Sequence, residues 1–255
     1  MKTLLRGVVV KKVLMPLLAV MLLFSVLDTT HADRGRQYYE EAGHIIWEIN
    51  TEAKVIALTF DDGPHRKYTP QILDLLKKHN AKATFFIVGA HAEKNPDIVL
   101  RMAEEGHELA NHTYTHSRNR SVPYVMEEIK KTNEVLFSIS GQSTTLFRPV
   151  EGIYTDELVE AVVKEGYKIV MWSWHLDTLD WKNPGVGRIV RFVLEGVSEG
   201  NVVLFHDGGG NRHQTVEALE KILPDLEEKG YTFVTISELM KIREENQNEQ
   251  QVDKN

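Results

Sequence analysis

The sequence predicts an α/β domain built as an irregular (β/α) barrel of about seven parallel strands. Three observations carry this. Short apolar, β-branched runs alternate along the chain with segments of helical period, and parallel strands require such crossovers. Five of the predicted strands end in titratable side chains, while their interiors contain almost none. No Gly-x-Gly-x-x-Gly fingerprint or phosphate loop follows the first strand. That weighs against the doubly wound alternative, which the alternation alone would also allow.

Residues 55–60 (VIALTF) form an apolar run with the length and branching of a buried strand. Residues 69–78 place Ile72, Leu73, Leu75 and Leu76 at helical spacing, with Pro70 in the first turn. A second strand follows at 83–88, then a helix over 96–105 that stops at Gly106. Residues 108–111 are a short strand, and 122–139 a long helix ending at Gly141. The next strand is 144–148, followed by a helix over 155–164 that Gly166 ends. Strands at 168–174 and 201–206 flank a helix at 187–194. A helix at 215–228 and a last strand at 232–236 complete the pattern, and Ser237 is read as the cap of a final helix.

Composition narrows the function. An apolar fraction of 42% gives an ordinary globular core, and a formal charge of −7 gives no basic footprint for nucleic acid. The absence of cysteine removes disulfides, thiolate nucleophiles and cysteine-based zinc sites, so any metal must sit on His, Asp or Glu. The N-terminus is a separate object. Lys2, Arg6, Lys11 and Lys12 precede an apolar run from Val13 to Leu27, and Thr30-His31-Ala32 matches a cleavage site. Residues 1–32 are therefore read as a signal peptide, or an uncleaved membrane anchor, which places the domain outside the cytoplasmic membrane. Residues 37–245 form the one folded domain, and 246–255 a polar disordered tail.

The first strand runs into Asp61-Asp62 and the third into Asn111-His112. The fourth ends at Arg148, the fifth leads towards His175 and Asp177, and the sixth ends at His206-Asp207. In βα barrels the C-terminal strand ends share the face where active sites lie, so these residues are expected to converge. Each has a plainer reading in isolation. Asp-Asp-Gly-Pro is a turn signal, and a lone His206 at a strand end reads as a satisfied core histidine. His112 and His116 stand at i and i+4, which on a helix puts both rings on one face. Beside Asp62 they would complete a His₂-carboxylate set with a position left open for water, the composition of a hydrolytic metal centre. Trp172, Trp174 and Trp181 cluster near Asp177 and Asp180 and suggest a pocket wall.

Together these motifs resemble the polysaccharide deacetylase family (carbohydrate esterase family four) over roughly residues 53–240. Five motifs stand in the family's order: Thr59 to Pro64, His112 to His116, Arg148 to Gly152, Asp177 to Trp181, and Leu204-Phe205-His206. The resemblance implies a distorted (β/α) barrel and a metal-dependent hydrolase that releases acetate from an amino-sugar polymer such as peptidoglycan or chitin. It implies Asp61 as general base and Asp62, His112 and His116 as ligands of a divalent metal, typically zinc, with cobalt or another divalent ion as substitutes. His206 would be the general acid, Arg148 would hold Asp61, and Asp180, in preference to Asp177, would orient His206. Trp181 and Leu204 would line the acetyl pocket, with Pro149 and Glu151 also at the substrate.

One departure stands out. Where many members read Arg-Pro-Pro-Tyr-Gly, this chain reads Arg148-Pro149-Val150-Glu151-Gly152. A backbone donor at position 151 survives, but an aromatic wall is exchanged for a carboxylate. Two rival readings follow from the same residues. One is a non-catalytic wall-glycan-binding protein on this fold. The other is a glycosidase using Asp61 with Asp177 or Glu151. The expected partner is a cell-wall polysaccharide or an acetylated amino-sugar oligomer, and no protein partner is implied.

Overall fold

A computed structural model describes residues 34–252, of which 246–252 are described by backbone alone. The proposed signal or anchor segment lies outside the described residues. A short helix α1 (Arg36–Glu41) leads into β1 (Ile45–Ile46), and β2 (Val55–Asp61) begins the βα alternation. The order continues α2 (Tyr68–Lys78), β3 (Ala83–Ile87), α3 (Gly89–Lys94), α4 (Pro96–Glu104), β4 (Glu108–Asn111), α5 (Val122–Ser140) and β5 (Leu146–Phe147). It ends with α6 (Asp156–Lys164), β6 (Lys168–Val170), α7 (Val186–Gly196), β7 (Val202–His206), α8 (His213–Glu228), β8 (Thr232–Phe233) and α9 (Ile236–Val252).

Every strand pair is parallel, in the order β1-β6-β5-β4-β3-β2-β7, with β8 against the start of β2. The sheet curls into a half-barrel flanked by helices, a distorted (β/α) barrel. The segment after β6 spans the gap between the two edges: Met171 N donates to Ile46 O (2.7 Å) and Ser173 N to Val202 O (3.0 Å). Asp177 then makes a parallel bridge with Leu204.

β2 is buried along its whole length, which explains an apolar run without alternation. Its side chains nevertheless alternate in direction. Ile56, Leu58 and Phe60 pack outward with Ile72, Leu73 and Leu76 of α2. Ala57 joins an inner cluster with Phe86, Ala110, Leu146, Val170 and Val202. Thr59 and Asp61 continue that inner row, so the alternation that buries Ala57 also delivers the Asp61 carboxylate to the barrel's upper end.

Local signals explain most boundaries. α5 ends at Gly141, which has a left-handed φ of 70°. Thr155 caps α6, its hydroxyl accepting from Leu158 N at 3.3 Å. The structure differs from the sequence reading at several places: the short helix α3 (Gly89–Lys94) is not among the expected elements, and β5 and β8 are each two residues long rather than five. β1 is an added strand, only two residues long. β6 ends at Val170, because the chain must leave the sheet to bridge the gap. The cap of α9 is Thr235: Glu238 N donates to its hydroxyl (3.2 Å), and the Glu238 carboxylate accepts from Thr235 N (2.8 Å), a capping box. Ser237 lies inside the helix and bonds Glu108 instead. α9 also runs on to Val252 through residues read as a polar tail. No helix among the described residues is long and apolar enough to cross a membrane.

Candidate active site

Asp61 closes β2, and Arg148 follows β5 on the far side of the curled sheet. Arg148 is completely buried, and its Nη1 donates to Asp61 Oδ1 at 2.7 Å. The remaining donors are also matched: Nη1 to Thr59 Oγ1 (2.9 Å), Nε to Val170 O (2.9 Å) and Nη2 to Met171 O (2.6 Å). The guanidinium lies 3.9 Å from the centroid of Phe86. Burial lowers the Arg148 pKa and Asp61 opposes that shift; a guanidinium in such a cage stays charged. The cage occupies Asp61 Oδ1 and leaves Oδ2, 3.9 Å from His112 Nε2, facing the site.

Asp62 turns the opposite way, its φ of 73° marking a sharp bend at the strand end. Its Oδ1 lies 3.0 Å from His116 Nε2 and 3.5 Å from His112 Nε2. One donor atom from each of the three falls within 4.8 Å of the others. His112 Nδ1 lies 2.8 Å from Arg148 O. A carbonyl only accepts, so Nδ1 carries a hydrogen; Nε2 faces the cluster, where it bonds Asp62 when protonated and would present a lone pair to a cation when neutral. Burial works against charge on Asp62, but the bonds from His112 and His116 hold its pKa far below the usual carboxylate range. Two imidazole nitrogens and a carboxylate at this spacing fit a divalent cation.

The two histidines do not share a helix, contrary to the i, i+4 reading. They sit on a turn in which Thr113 (φ 66°) and His116 (φ 56°) are both left-handed, and this brings their rings to 5.1 Å. Glu128 of α5 fastens that turn. Its Oε2 accepts from Tyr114 N (3.1 Å), Thr115 N (2.6 Å) and Thr115 Oγ1 (2.7 Å). Behind Asp62, Gly208 has no room for a side chain, since a Cβ there would lie 2.1 Å from the Asp62 carbonyl oxygen.

His206 ends β7 in register with Asp61 on the adjacent strand. Its Nδ1 meets Asp180 Oδ1 at 2.7 Å, and its backbone N donates to Asp180 Oδ2 at 2.9 Å. Thr215 Oγ1 donates to the same Oδ2 at 2.7 Å. Burial opposes a charge on His206, yet Asp180, with Asp61 and Asp62 nearby, raises its pKa to about 9. Asp180 itself is held below the usual range by His206 and Thr215 despite its burial. Asp177 does not touch His206. Its Oδ1 accepts from Leu179 N (3.1 Å), and burial raises its pKa.

Asp61, Asp62, His112, His116, Asp177 and His206 open into one cleft of about 570 Å³, lined also by Arg118, Glu151, Gly152, Trp172, Trp181, Leu204 and Arg212, with Arg148 and Asp180 buried behind it. Pro149 lies off its wall, against a small cavity behind the loop of Arg120. Trp174 does not line the cleft and is 68% exposed. Glu151 takes a left-handed φ of 58°, and both its oxygens are engaged, by Arg118 Nη2 (2.7 Å) and Arg120 Nη2 (3.0 Å).

Residues 48–170 match the family described as polysaccharide deacetylase. A peptidoglycan-N-acetylglucosamine deacetylase of Bacillus cereus is 44% identical over 209 residues, covering 82% of this chain and 98% of the relative. The chain belongs to the polysaccharide deacetylase family. The crystal structure of a peptidoglycan N-acetylglucosamine deacetylase with 4-naphthalen-1-yl-N-oxidanyl-benzamide superposes at TM-score 0.76 and 38% identity, covering 81% of this chain and 97% of that one. A family 4 acetyl xylan esterase from Clostridium thermocellum, in complex with a cobalt ion, gives TM-score 0.69 at 35% identity, covering 74% of this chain and 91% of that one.

The family match ends at residue 170, before Asp177, Asp180 and His206. The deacetylase fold nonetheless brings those residues into the same cleft as Asp61 and Asp62. Residues that the sequence reading passed over hold them there. Thr59 supports Arg148, Thr215 supports Asp180, Glu128 supports the histidine turn, and His91 Nδ1 lies 2.8 Å from Asp62 O. A single sequence gives no signal for such partners, because each is an ordinary polar residue on a helix or strand.

Proposed function

We propose that this deacetylase removes acetyl groups from N-acetylglucosamine units of peptidoglycan, with zinc at Asp62, His112 and His116, outside the cytoplasmic membrane. The observation that carries the reading is the pairing in register of a carboxylate, Asp61, and an imidazole, His206, on adjacent strands beside one cation-binding cluster. The substrate follows from the Bacillus cereus relative, and zinc from a donor set of two imidazoles and one carboxylate. Secretion follows from the basic and apolar pattern of residues 1–32.

Amide hydrolysis needs an activated water, a polarised carbonyl and a protonated leaving amine. A divalent ion in the cluster supplies Lewis acidity and makes water a competent nucleophile at neutral pH. Asp61 Oδ2 takes the proton of the attacking water while Arg148 keeps Oδ1 and the carboxylate plane fixed. His206 has its Nδ1 committed to Asp180, so Nε2 carries the proton delivered to the departing nitrogen. The backbone N–H of Glu151 is offered at the cleft for the developing oxyanion, while that of Gly152 is held by Pro149 O (2.9 Å). Leu204, Trp172 and Trp181 enclose the acetyl group and sugar.

The test is acetate release from metal-stripped protein reloaded with zinc or cobalt, on peptidoglycan and on N-acetylglucosamine oligomers. Metal-restored release is expected, with Asp61→Asn losing about 10²- to 10⁴-fold in kcat at unchanged metal content. Full activity in Asp61→Asn would remove the base assignment. A folded, metal-loaded protein without release on any substrate would overturn the activity. N-terminal sequencing of protein from the culture medium tests secretion, with Ala32 expected as the last residue removed.

A further inference from the structure

The mouth of the cleft carries a charge pattern that the hydrolysis itself does not use. Glu151 is the one acidic residue among the cleft-lining groups that is engaged by two guanidinium groups, those of Arg118 and Arg120. Two cations on one carboxylate leave a formal excess of +1 at this edge. The arginine side chains remain 80% and 49% exposed, so each can be reached by a ligand while its Nη2 stays on Glu151. Another wall presents Trp181, 47% exposed, with Lys182 Nζ 4.6 Å from its ring centroid. The rim is therefore cationic on a chain whose overall formal charge is −7.

A chain of net negative charge is repelled by an anionic polymer everywhere except where local charge reverses the sign. A neutral glycan would gain nothing from that reversal. Arginine is also the side chain whose planar fork matches a carboxylate. The geometry points to Arg118 and Arg120, preset by Glu151, as a subsite for a carboxylate carried on the sugar next to the one being deacetylated. The chemical class is an amino-sugar polymer bearing carboxylates, such as the lactyl ether of a muramic-acid unit or a peptide attached to it. Glu151 holds the two forks at the rim, and an incoming carboxylate shares them.

This inference rests on the deacetylase reading, and the experiment separates the two. Wild type, Arg118→Gln, Arg120→Gln and the double variant are assayed on three substrates. These are a neutral N-acetylglucosamine tetramer, a tetrasaccharide of alternating N-acetylglucosamine and N-acetylmuramic acid with free lactyl carboxylates, and its form with a short peptide amide-linked to the lactyl group. Binding of the same three to metal-free protein is followed by tryptophan fluorescence, which needs no turnover. Each single variant is expected to lose about fivefold in kcat/KM and in affinity on a carboxylated substrate, chiefly through KM. Release from the neutral tetramer stays within about twofold. Added salt should weaken the wild type's preference and leave the double variant unaffected. Preference for the free lactyl form assigns the lactyl carboxylate, and preference for the peptide form assigns the peptide's. Equal losses on charged and neutral substrates would mean that the arginines only support the loop, and would overturn the subsite. Unchanged values throughout would do the same. Charge-selective binding without acetate release from any substrate would overturn the activity and leave the subsite standing.

Discussion

Asp180→Asn tests the acid half of the mechanism. In the wild type, Asp180 accepts from both the ring and the backbone of His206 and raises the ring's pKa from 6.5 to about 9 against the effect of burial. That rise corresponds to about 3 kcal/mol in favour of the charged ring. A raised pKa keeps the proton in place below it, so His206, as the proposed acid, would hold its proton up to about pH 9 and lose that role above. In Asp180→Asn the main raising contact is gone; burial still lowers the pKa while Asp61 and Asp62 raise it, and with these offsetting the ring returns to about the ordinary 6.5. At pH 8 the protonated fraction then drops from about 0.9 to about 0.03, roughly a 30-fold loss in kcat/KM. A cation at Asp62 lowers His206 in both proteins alike, so the displacement between the two profiles is the quantity tested. The assay is acetate release from pH 5 to 10 at saturating zinc. The alkaline limb should move down by about 2.5 pH units, with activity largely recovered near pH 5.5. A variant that loses activity equally at every pH, or keeps its alkaline limb, refutes the assignment of His206 as the acid tuned by Asp180.

Glu128→Ala should weaken zinc binding about 10- to 100-fold, because the turn holding His112 and His116 loses its three hydrogen bonds to Oε2. Glu128→Gln, which keeps an acceptor, should lose less. Competition with a chromophoric chelator measures both, and equal affinities would show that the turn is held otherwise. Arg148→Met should destabilise the fold by about 3 kcal/mol or more in urea titrations, because Asp61, only 4% exposed, keeps its charge site without a partner. Unchanged stability would mean that water replaces the guanidinium in the barrel.

What the sequence made legible is the chemistry at the strand ends. Asp61, Asp62, His112, Arg148 and His206 each stand at or within a residue of the C-terminal end of a strand, and that position is encoded locally by where an apolar run stops. The parallel sheet was legible for the same reason. The route by which His116 reaches His112 was not. Helical spacing and a left-handed turn both bring i and i+4 together, and the turn is held by the carboxylate of Glu128, arriving from α5, together with Asn111 Oδ1 and Thr113 Oγ1. β1 escaped notice because two residues carry no periodicity. The cap of α9 was readable in Thr235-Ile236-Ser237-Glu238, since the capping box places its Glu three residues after the cap. Thr215 and His91 were beyond reach because topology, not sequence spacing, brings them to Asp180 and Asp62.

The register of Asp61 with His206 on neighbouring strands has a consequence for how such a protein diversifies. Adjacent strands are spaced at about 4.8 Å by their backbone hydrogen bonds, so the proposed base and acid stand on a ruler that no surface loop can stretch. Arg118, Arg120 and Glu151 belong to the connections beyond the ruled part. A lineage can therefore exchange those connections, and with them its choice of polymer, without resetting the distance over which a proton is taken up and given back.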